Sequence, residues 1–542
     1  MRLDNVRPLI VDALASGRGR RVVTRDVIGA GPRALAGVLE KKGFSPRIAL
    51  AGAVIKGSVV LKDFDLLLVS GMTSDLTAVR RVVSRWRSKS EGPVLVGGPV
   101  ASDPVGALLK TRADIAVTGE GELTLKELLS AGISQGILPS REELSRVLGA
   151  SFLDGDVVRS NGLRPVMTRQ AYESLQPSTE IVKDYPLHRS ARVYVEVLRG
   201  CSNYHRARLA LPEGVCEVCG KCHSGSLEDR YYCPQGVPPG CGYCSVPSLF
   251  GPPKSRPVDR VVDEVEALLS LGARRVVLSA PGFLDYGRDL LVEPEPLTDP
   301  RNPEPNYEAI EELLSRLTGL ERVAEGQASV MIENLKGELV TERAAAILGR
   351  YLAGTAVNVG FETGSEDHSL QIGRSSIPQE NLRAVRGLKR AGLKPYVYFI
   401  HGLPGRDAET VQATVEAIGE SVKAGASRII LYRFQPLPMS AFQGRPSAPP
   451  AVKDPLSKRI FDEALKANEL LKEDLIGTRL MVVVAETYDR DRRFKVAYPM
   501  LHGPVVLVEG GEGMDGEIVE VEVSGVVSDR MIRGLLLPES CR

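Results

Sequence analysis

Two successive series of short apolar runs, each run separated from the next by an amphipathic helical pattern, restrict this chain more than any other feature. Such alternation implies βαβ units and parallel sheets covered on both faces. In the first series, from about residue 21 to 130, strand candidates include Asp65–Ser70, Pro93–Gly98 and Ile115–Gly119, with helices predicted over Gly31–Lys42 and Leu76–Lys89. The expected fold class is α/β, with a doubly wound domain over residues 1–150. Its strands end in small-residue loops: Ser70-Gly71-Met72-Thr73, Gly97-Gly98-Pro99 and Thr118-Gly119-Glu120-Gly121-Glu122. In doubly wound folds the ligand crevice lies outside those carboxyl ends, where glycine lets backbone approach a bulky ligand.

The second series supplies strand candidates Val193–Leu198, Arg275–Ser279, Gln327–Ile332, Ala356–Phe361, Lys394–Ile400 and Arg428–Tyr432, with helices such as Val258–Leu271 and Glu380–Ala391 between them. Six strand–helix units predict a partial or complete β/α barrel over 191–450, with its chemistry at the carboxyl ends of the strands. Residues 151–190 read as a linker. Proline-rich Asp285–Pro305 reads as an extended excursion, and Pro436–Pro455 as another linker. A helical linker (451–475, with its helix near Ser457–Asp474) leads into 476–542, whose short alternating strands predict a small β-barrel or sandwich.

Seven of the eight cysteines fall between Cys201 and Cys244, and the first 200 residues have none. A disulfide scaffold spreads its cysteines along a small secreted chain, whereas thiols crowded into one stretch of a large chain read as metal ligands. The amino terminus carries Arg2, Asp4 and Arg7 and lacks the pattern of a secretory signal, and no run approaches the roughly eighteen apolar residues of a membrane span. A net charge of +1 argues against a global basic field for nucleic acid. A cytoplasmic protein with no membrane association is expected.

The strand Val193–Leu198 runs into Arg199-Gly200-Cys201, and forty positions on comes Pro239-Gly240-Cys241-Gly242-Tyr243-Cys244-Ser245-Val246-Pro247. Three thiolates hold three irons of a 4Fe-4S cluster and leave the fourth open, the general mark of a catalytic metal site. A strand ending in RGC, then GCGYCSVPSLFG and a helix from VDRVVDEVEAL, resembles the cluster loop of radical S-adenosylmethionine enzymes. That family's spacing is C-x3-C-x2-C; here 39 residues, 202–240, separate Cys201 from Cys241. They contain Cys216-x2-Cys219-x2-Cys222 and Cys233. Two allocations stay open. In the preferred one, Cys201, Cys241 and Cys244 hold the catalytic cluster, because Cys201 directly follows a barrel strand. Cys216, Cys219, Cys222 and Cys233 then hold a second metal, zinc or iron–sulfur. In the other, Cys233 replaces Cys201.

The resemblance extends further. It implies that Glu362, in Gly360-Phe361-Glu362-Thr363-Gly364-Ser365, bonds the ribose of S-adenosylmethionine, with Tyr243, Gly364 and Ser365 as further contacts to that cofactor. Ser279-Ala280-Pro281-Gly282 occupies the place of the loop that receives the methionine amino group, without the usual acidic residue. Met331–Leu335 and His401-Gly402-Leu403-Pro404-Gly405 also resemble family loops, His401 being read as a packed residue. The first domain resembles the Rossmann-like cobalamin-binding domain of one branch of these enzymes. That implies cobalamin contacts at Ser70, Gly71, Met72, Thr73, Gly97, Gly98, Gly119, Glu120 and Gly121. No histidine precedes His188, so the histidine motif that supplies a lower cobalt ligand is absent. Residues 476–537 resemble the TRAM domain of tRNA methylthiotransferases, a module that commonly binds RNA. Seven basic against ten acidic residues make it a poor generic phosphate binder unless Arg490, Arg492, Arg493 and Lys495 cluster.

The activity so implied is radical chemistry on S-adenosylmethionine, foremost cobalamin-dependent methylation of an unactivated carbon. The electron would come from a donor such as ferredoxin or flavodoxin. Methylthio insertion or another tRNA modification is the alternative, and a zinc-containing nucleic-acid adaptor the third. The substrate (small molecule, protein or RNA) stays open, because loops rather than the fold set that choice.

Overall fold

A computed structural model describes residues 6–22 and 24–537; Cys541 lies outside them. The chain divides into two compact units, Met1–Val195 with Glu266–Ala273, and Glu196–Val265 with Arg274–Arg542. Among the described residues no helix is long and apolar enough to cross a membrane.

The first unit contains β1 (Pro8–Asp12), β2 (Val27–Ile28), β3 (Arg47–Leu50), β4 (Leu66–Ser70), β5 (Val94–Gly97), β6 (Ile115–Val117), β7 (Ala150–Asp154), β8 (Val157–Ser160) and, at its end, β9 (Arg192–Glu196). Seven of them form one sheet, β3-β1-β4-β5-β6-β7-β8. The first five run parallel, and all but the edge strand β3 are apolar and buried along most of their length, as a sheet with helices on both faces requires. Helix Leu76–Arg87 covers one face, with Trp86 fully buried and its Nε1–H donating to the Gly92 carbonyl at 3.0 Å. Counted along the chain, the parallel strands lie in the order 2-1-3-4-5, so the topological switch falls between β1 and β4. There the buried Asp75 carboxylate accepts N–H bonds from Ala15, Gly17 and Met72 at 2.8–3.0 Å and ties the two strand-end loops together.

Residues 151–190, expected as a linker, are built into this unit. β7 and β8 form a hairpin that extends the sheet antiparallel from β6. Farther on, Tyr185 Oη donates to Asp12 Oδ2 at 2.9 Å, and the Ser178 carbonyl accepts from Arg33 Nε at 3.0 Å. Arg33 is fully buried, so it needs such acceptors, and this segment provides them.

The second unit carries β10 (Leu198–Arg199), β11 (Lys254–Ser255), β12 (Arg275–Ser279), β13 (Ser329–Ile332), β14 (Asn334–Leu335), β15 (Ala356–Glu362), β16 (Lys394–His401) and β17 (Arg428–Arg433). β12 and β13 pair in parallel, as do β14-β15-β16-β17 in that order, with helices between successive strands: the partial β/α barrel expected. Helix starts follow their side-chain caps: Asn306, Thr341 and Asp407 each accept the N–H three residues on. Along β15, Val357, Val359 and Phe361 are buried on one face, while Asn358, Gly360 and Glu362 share the other.

The tail forms a closed barrel, β18 (Arg479–Thr487), β19 (Phe494–Pro499), β20 (Val505–Glu509), β21 (Ile518–Val526) and β22 (Met531–Leu536), ordered β18-β19-β20-β22-β21 around a valine-rich core. Its β19–β20 connection docks on the amino-terminal ends of the larger barrel's strands. The Met500 carbonyl accepts from Ser329 Oγ at 2.7 Å, Gly503 N–H donates to Tyr396 Oη at 3.0 Å, and the Arg275 guanidinium lies 5.5 Å from the Tyr498 ring centroid. These contacts cover part of the amino-terminal side, opposite the carboxyl ends where β/α barrels carry their chemistry. Pro436–Pro455, expected as a linker, packs against the cysteine loop. Phe442 is fully buried, and its N–H donates to the Gly242 carbonyl at 2.8 Å.

Candidate functional site

Cys201 follows β10, and Cys241 and Cys244 lie in the turn ahead of helix Val246–Phe250. The chain folds tightly here. Gly200 has φ +93°, and a Cβ on it would stand 2.2 Å from the Pro252 carbonyl oxygen; one on Gly242 would meet the Phe442 ring at 2.4 Å. All three sulfurs accept N–H bonds. Asn203 donates its backbone N–H to Cys201 Sγ at 3.5 Å and its Nδ2 to Cys241 Sγ at 3.4 Å, and Val246 N–H donates to Cys244 Sγ at 3.5 Å. Burial, and then the charge of Cys241, pushes the Cys244 thiol up to about 12, and burial also raises Cys201. Cys233 stands elsewhere, lining a small cavity with Cys216, Cys219 and Cys222. The geometry therefore sorts the seven thiols as three and four, with Cys201 in the trio. None is in a disulfide. Among the described residues no three His, Cys, Asp or Glu side chains form a ready-made ion-binding group, so the sorting rests on mutual electrostatics, the shared cavity and the donors to sulfur.

Beside Cys201 lies a charged network that the sequence did not reveal. Asp285 and Arg288 are both fully buried, with Arg288 NH1 2.5 Å from Asp285 Oδ1. Lys336 Nζ reaches Asp285 Oδ2 at 2.6 Å and Ser202 Oγ at 2.5 Å, and Ser202 Oγ lies 3.0 Å from both carboxylate oxygens. Burial opposes the charge on Lys336, but Asp285 and then Cys201 hold its pKa above the usual lysine value. Burial likewise opposes ionisation of Asp285, and Lys336 with Arg288 keeps it below the carboxylate range. The stem of Lys336 covers Gly282, the end of the Ser279–Gly282 turn. Ser279 Oγ donates to Glu333 Oε2 at 2.8 Å.

Across the strand ends, Glu362 closes β15 with φ +65°, unusual for a non-glycine residue, at a register irregularity between Gly360 and Glu362. Burial raises its carboxyl pKa, against the pull of Arg374. Arg374 NH1 lies 3.4 Å from Glu362 Oε1 and 3.2 Å from Tyr243 Oη, and NH2 donates to the Gly360 carbonyl and to Ser376 Oγ. Tyr243 and Glu362 are thus brought together with the cysteine turn. Gly364 and Ser365 serve the next turn. Gly364 N–H donates to Thr414 Oγ1 at 3.0 Å, and Ser365 Oγ caps helix Glu366–Gln371. His368 is a satisfied core residue, with Nε2 donating to the Pro404 carbonyl and Nδ1 facing the Thr363 hydroxyl. His401 is buried, as expected of a packed residue.

In the first unit, Ser70 closes β4 and Gly71, Met72 and Thr73 follow it, Gly97 closes β5 and Gly98 follows it, and Gly119, Glu120 and Gly121 follow β6. They share the carboxyl edge of the sheet. A Cβ on Gly97 would meet nothing closer than 3.8 Å. The Glu120 carboxylate is committed to Met167 N–H at 2.5 Å, which makes it a loop fastener.

The family profile described as Radical SAM superfamily matches residues 231–418. The chain belongs to the radical SAM superfamily. It is 44% identical over 527 residues to MK0932 of Methanopyrus kandleri, covering 97% of this chain and 95% of that protein. The ribosomal protein uS12 methylthiotransferase RimO of Desulforudis audaxviator is 28% identical over 350 residues, 61% of this chain and 71% of that one. Among solved structures, the radical S-adenosylmethionine methyltransferase TsrM of Kitasatospora setae, with cobalamin and a [4Fe-4S] cluster bound, has the same fold. The TM-score is 0.55 at 16% identity, covering 80% of this chain and 73% of that one.

Radical SAM enzymes work with a 4Fe-4S cluster and S-adenosylmethionine, and the donor set fits both. The N–H donors to all three sulfurs would stabilise the thiolates that a cluster requires. Lys336 lies near Cys201 as a cation, and Glu362 lies near Tyr243 through Arg374 as an acceptor.

Proposed function

We propose that this enzyme is a cobalamin-dependent radical methyltransferase acting on an unactivated carbon. The observation that carries the reading is the first unit's carboxyl edge. A 2-1-3-4-5 sheet ends in glycine-bearing loops at Gly71, Gly97, Gly98 and Gly119, with open space over Gly97, in a stretch with neither a cysteine nor a histidine. Such a cradle accommodates the edge of a corrin ring through backbone, with no cobalt ligand from a histidine there. The likeness of the whole fold to TsrM supports it.

When bound, the cluster would supply the electron that cleaves the sulfonium of S-adenosylmethionine, and cobalamin would supply a transferable methyl group. The chain's own residues do the positioning. Cys201, Cys241 and Cys244 would hold the cluster. Lys336, kept cationic by Asp285, receives the methionine carboxylate. Glu362, anchored through Arg374 to Tyr243, accepts from the ribose hydroxyls. The stacked Tyr398 and Tyr432, ring centroids 5.4 Å apart, form an aromatic wall near the same strand ends.

Anaerobic purification followed by product analysis tests the reading: bound corrinoid, and both 5′-deoxyadenosine and S-adenosylhomocysteine as products, are expected. Full cluster content without affinity for any corrinoid overturns it. The sequence similarity to RimO favours a second reading, methylthio insertion. Against it stands the absence of cysteine before Cys201, since methylthiotransferases carry a second three-cysteine cluster in their first domain. Mass spectrometry of tRNA and ribosomal proteins from a deletion strain separates the two, through loss of a methylthio group in one case and of a methyl group in the other.

A further inference from the structure

We propose that Cys216, Cys219, Cys222 and Cys233 ligate a second 4Fe-4S cluster, which takes single electrons from a low-potential carrier protein and hands them to the catalytic cluster through the Tyr204–Arg206 segment. This rests on the radical SAM chemistry of the trio and not on the identity of the group transferred.

The first argument is spacing. Structural zinc sites recruit two separated cysteine pairs, whereas a run of C-x2-C-x2-C completed by a later Cys-Pro is the ligand pattern of ferredoxin-type clusters. Here Cys216, Cys219 and Cys222 follow at intervals of three, and the fourth thiol is Cys233-Pro234. The turn Val215–Cys219 is bounded by Gly214 and Gly220, both left-handed, and places Cys216 and Cys219 on one side. All four thiols line one cavity together with Arg206 and Gln235.

The second argument is Arg206. This buried residue lines the same cavity as the four thiols. Its guanidinium is fixed by the carbonyls of Val237 (2.9 Å), Arg230 (3.0 Å) and Tyr231 (3.1 Å). A cation held against ligand sulfurs stabilises a centre that gains negative charge, which a cluster does on reduction and zinc does not.

The third is continuity. Arg206 lies five residues after Cys201, so their backbones are at most about 18 Å apart. Between them Tyr204 is buried, with the Arg206 guanidinium 5.8 Å and the Tyr231 ring 5.4 Å from its own ring. The outer side is solvent-facing: Val218 and Tyr232, each adjacent in sequence to a ligand cysteine, are 90% and 69% exposed. One electron leaves the reduced carrier, takes the outer cluster from 2+ to 1+, then the catalytic cluster from 2+ to 1+. There it enters the S–C5′ bond of S-adenosylmethionine, releasing methionine and the adenosyl radical.

The test starts with the unaltered full chain, reconstituted anaerobically. About eight irons and eight sulfides per chain are expected, with two reducible paramagnetic centres in a redox titration. Four irons with one zinc overturn the proposal without any variant being made. The Cys216→Ser/Cys219→Ser chain should then keep four irons and cleave S-adenosylmethionine with dithionite at the parent rate, yet lose at least about tenfold with reduced ferredoxin or flavodoxin. Equal rates with both reductants overturn the relay. If the parent chain cleaves S-adenosylmethionine with neither reductant, the fault lies with the reading of the trio instead.

Discussion

The two thiol sets share one stretch of chain, residues 201–244, yet live in opposite surroundings. The trio sits in backbone so close that Cβ atoms on Gly200 and Gly242 would collide with Pro252 and Phe442, and every sulfur meets an N–H. Around the outer four, Cβ atoms on Gly214, Gly220, Gly225 and Gly236 would meet nothing within 4 Å. The ion pairs differ in the same way. Asp285 with Arg288 is wholly buried, whereas Lys221 with Asp229, at 3.1 Å, leaves those side chains 52% and 33% exposed. A site that must hold a reactive radical away from water is built into the core. A site that only passes electrons can hang on a pliable lobe within reach of a partner.

The largest effect belongs to the trio. Cys241→Ala with Cys244→Ala should abolish 5′-deoxyadenosine formation with dithionite and with protein donors alike, because no ligand remains to replace them. Residual cleavage by that variant would mean the outer set hosts the reactive iron, and the contrast would be inverted. Next comes Asp285→Asn. It leaves the buried Arg288 cation with backbone carbonyls and Lys336 with Ser202, neither with its carboxylate, so a loss of about 3–5 kcal/mol in denaturant unfolding is expected. The matched change on the lobe, Asp229→Asn, should lose less than about 1 kcal/mol. Gly200→Ala falls between. Its left-handed φ and the contact with Pro252 together predict a loss of about 2–4 kcal/mol and a lowered iron content.

β4, β5, β6 and the strands of the larger barrel were legible because period-two and period-3.6 patterns are local and punctuated by glycine, whereas β1 (Pro8–Asp12) and β3 (Arg47–Leu50) were not predicted; β12 falls on the predicted Arg275–Ser279, and helix Val258–Ser270 ends one residue short of its prediction. The trio was legible because Cys201 follows a strand and Cys241 and Cys244 sit in a compact motif. Asp285, Arg288, Lys336 and Arg374 were not, since they come from separate segments that only the barrel brings together. A lone aspartate in a proline-rich stretch gives no periodic signal. Proline also misled at 436–455, where Phe442 seals the cysteine turn. In 151–190 a signal was available: β7 and β8 are joined by only Gly155-Asp156, a two-residue hairpin turn.

The smallest effect sharpens the comparison most, because it has the opposite sign. Gly225 lies between Cys222 and Cys233, its φ is outside the left-handed region, and a methyl group there would touch nothing. Gly225→Ala therefore adds no strain to the folded lobe while restricting the unfolded chain, and a gain of about 0.4–1 kcal/mol is expected. Thermal unfolding of the metal-loaded protein reads it, with metal content unchanged. A loss of stability instead would mean that the loaded lobe closes tightly around its ligands, and the division between a rigid inner site and a pliable outer one would fail at that position.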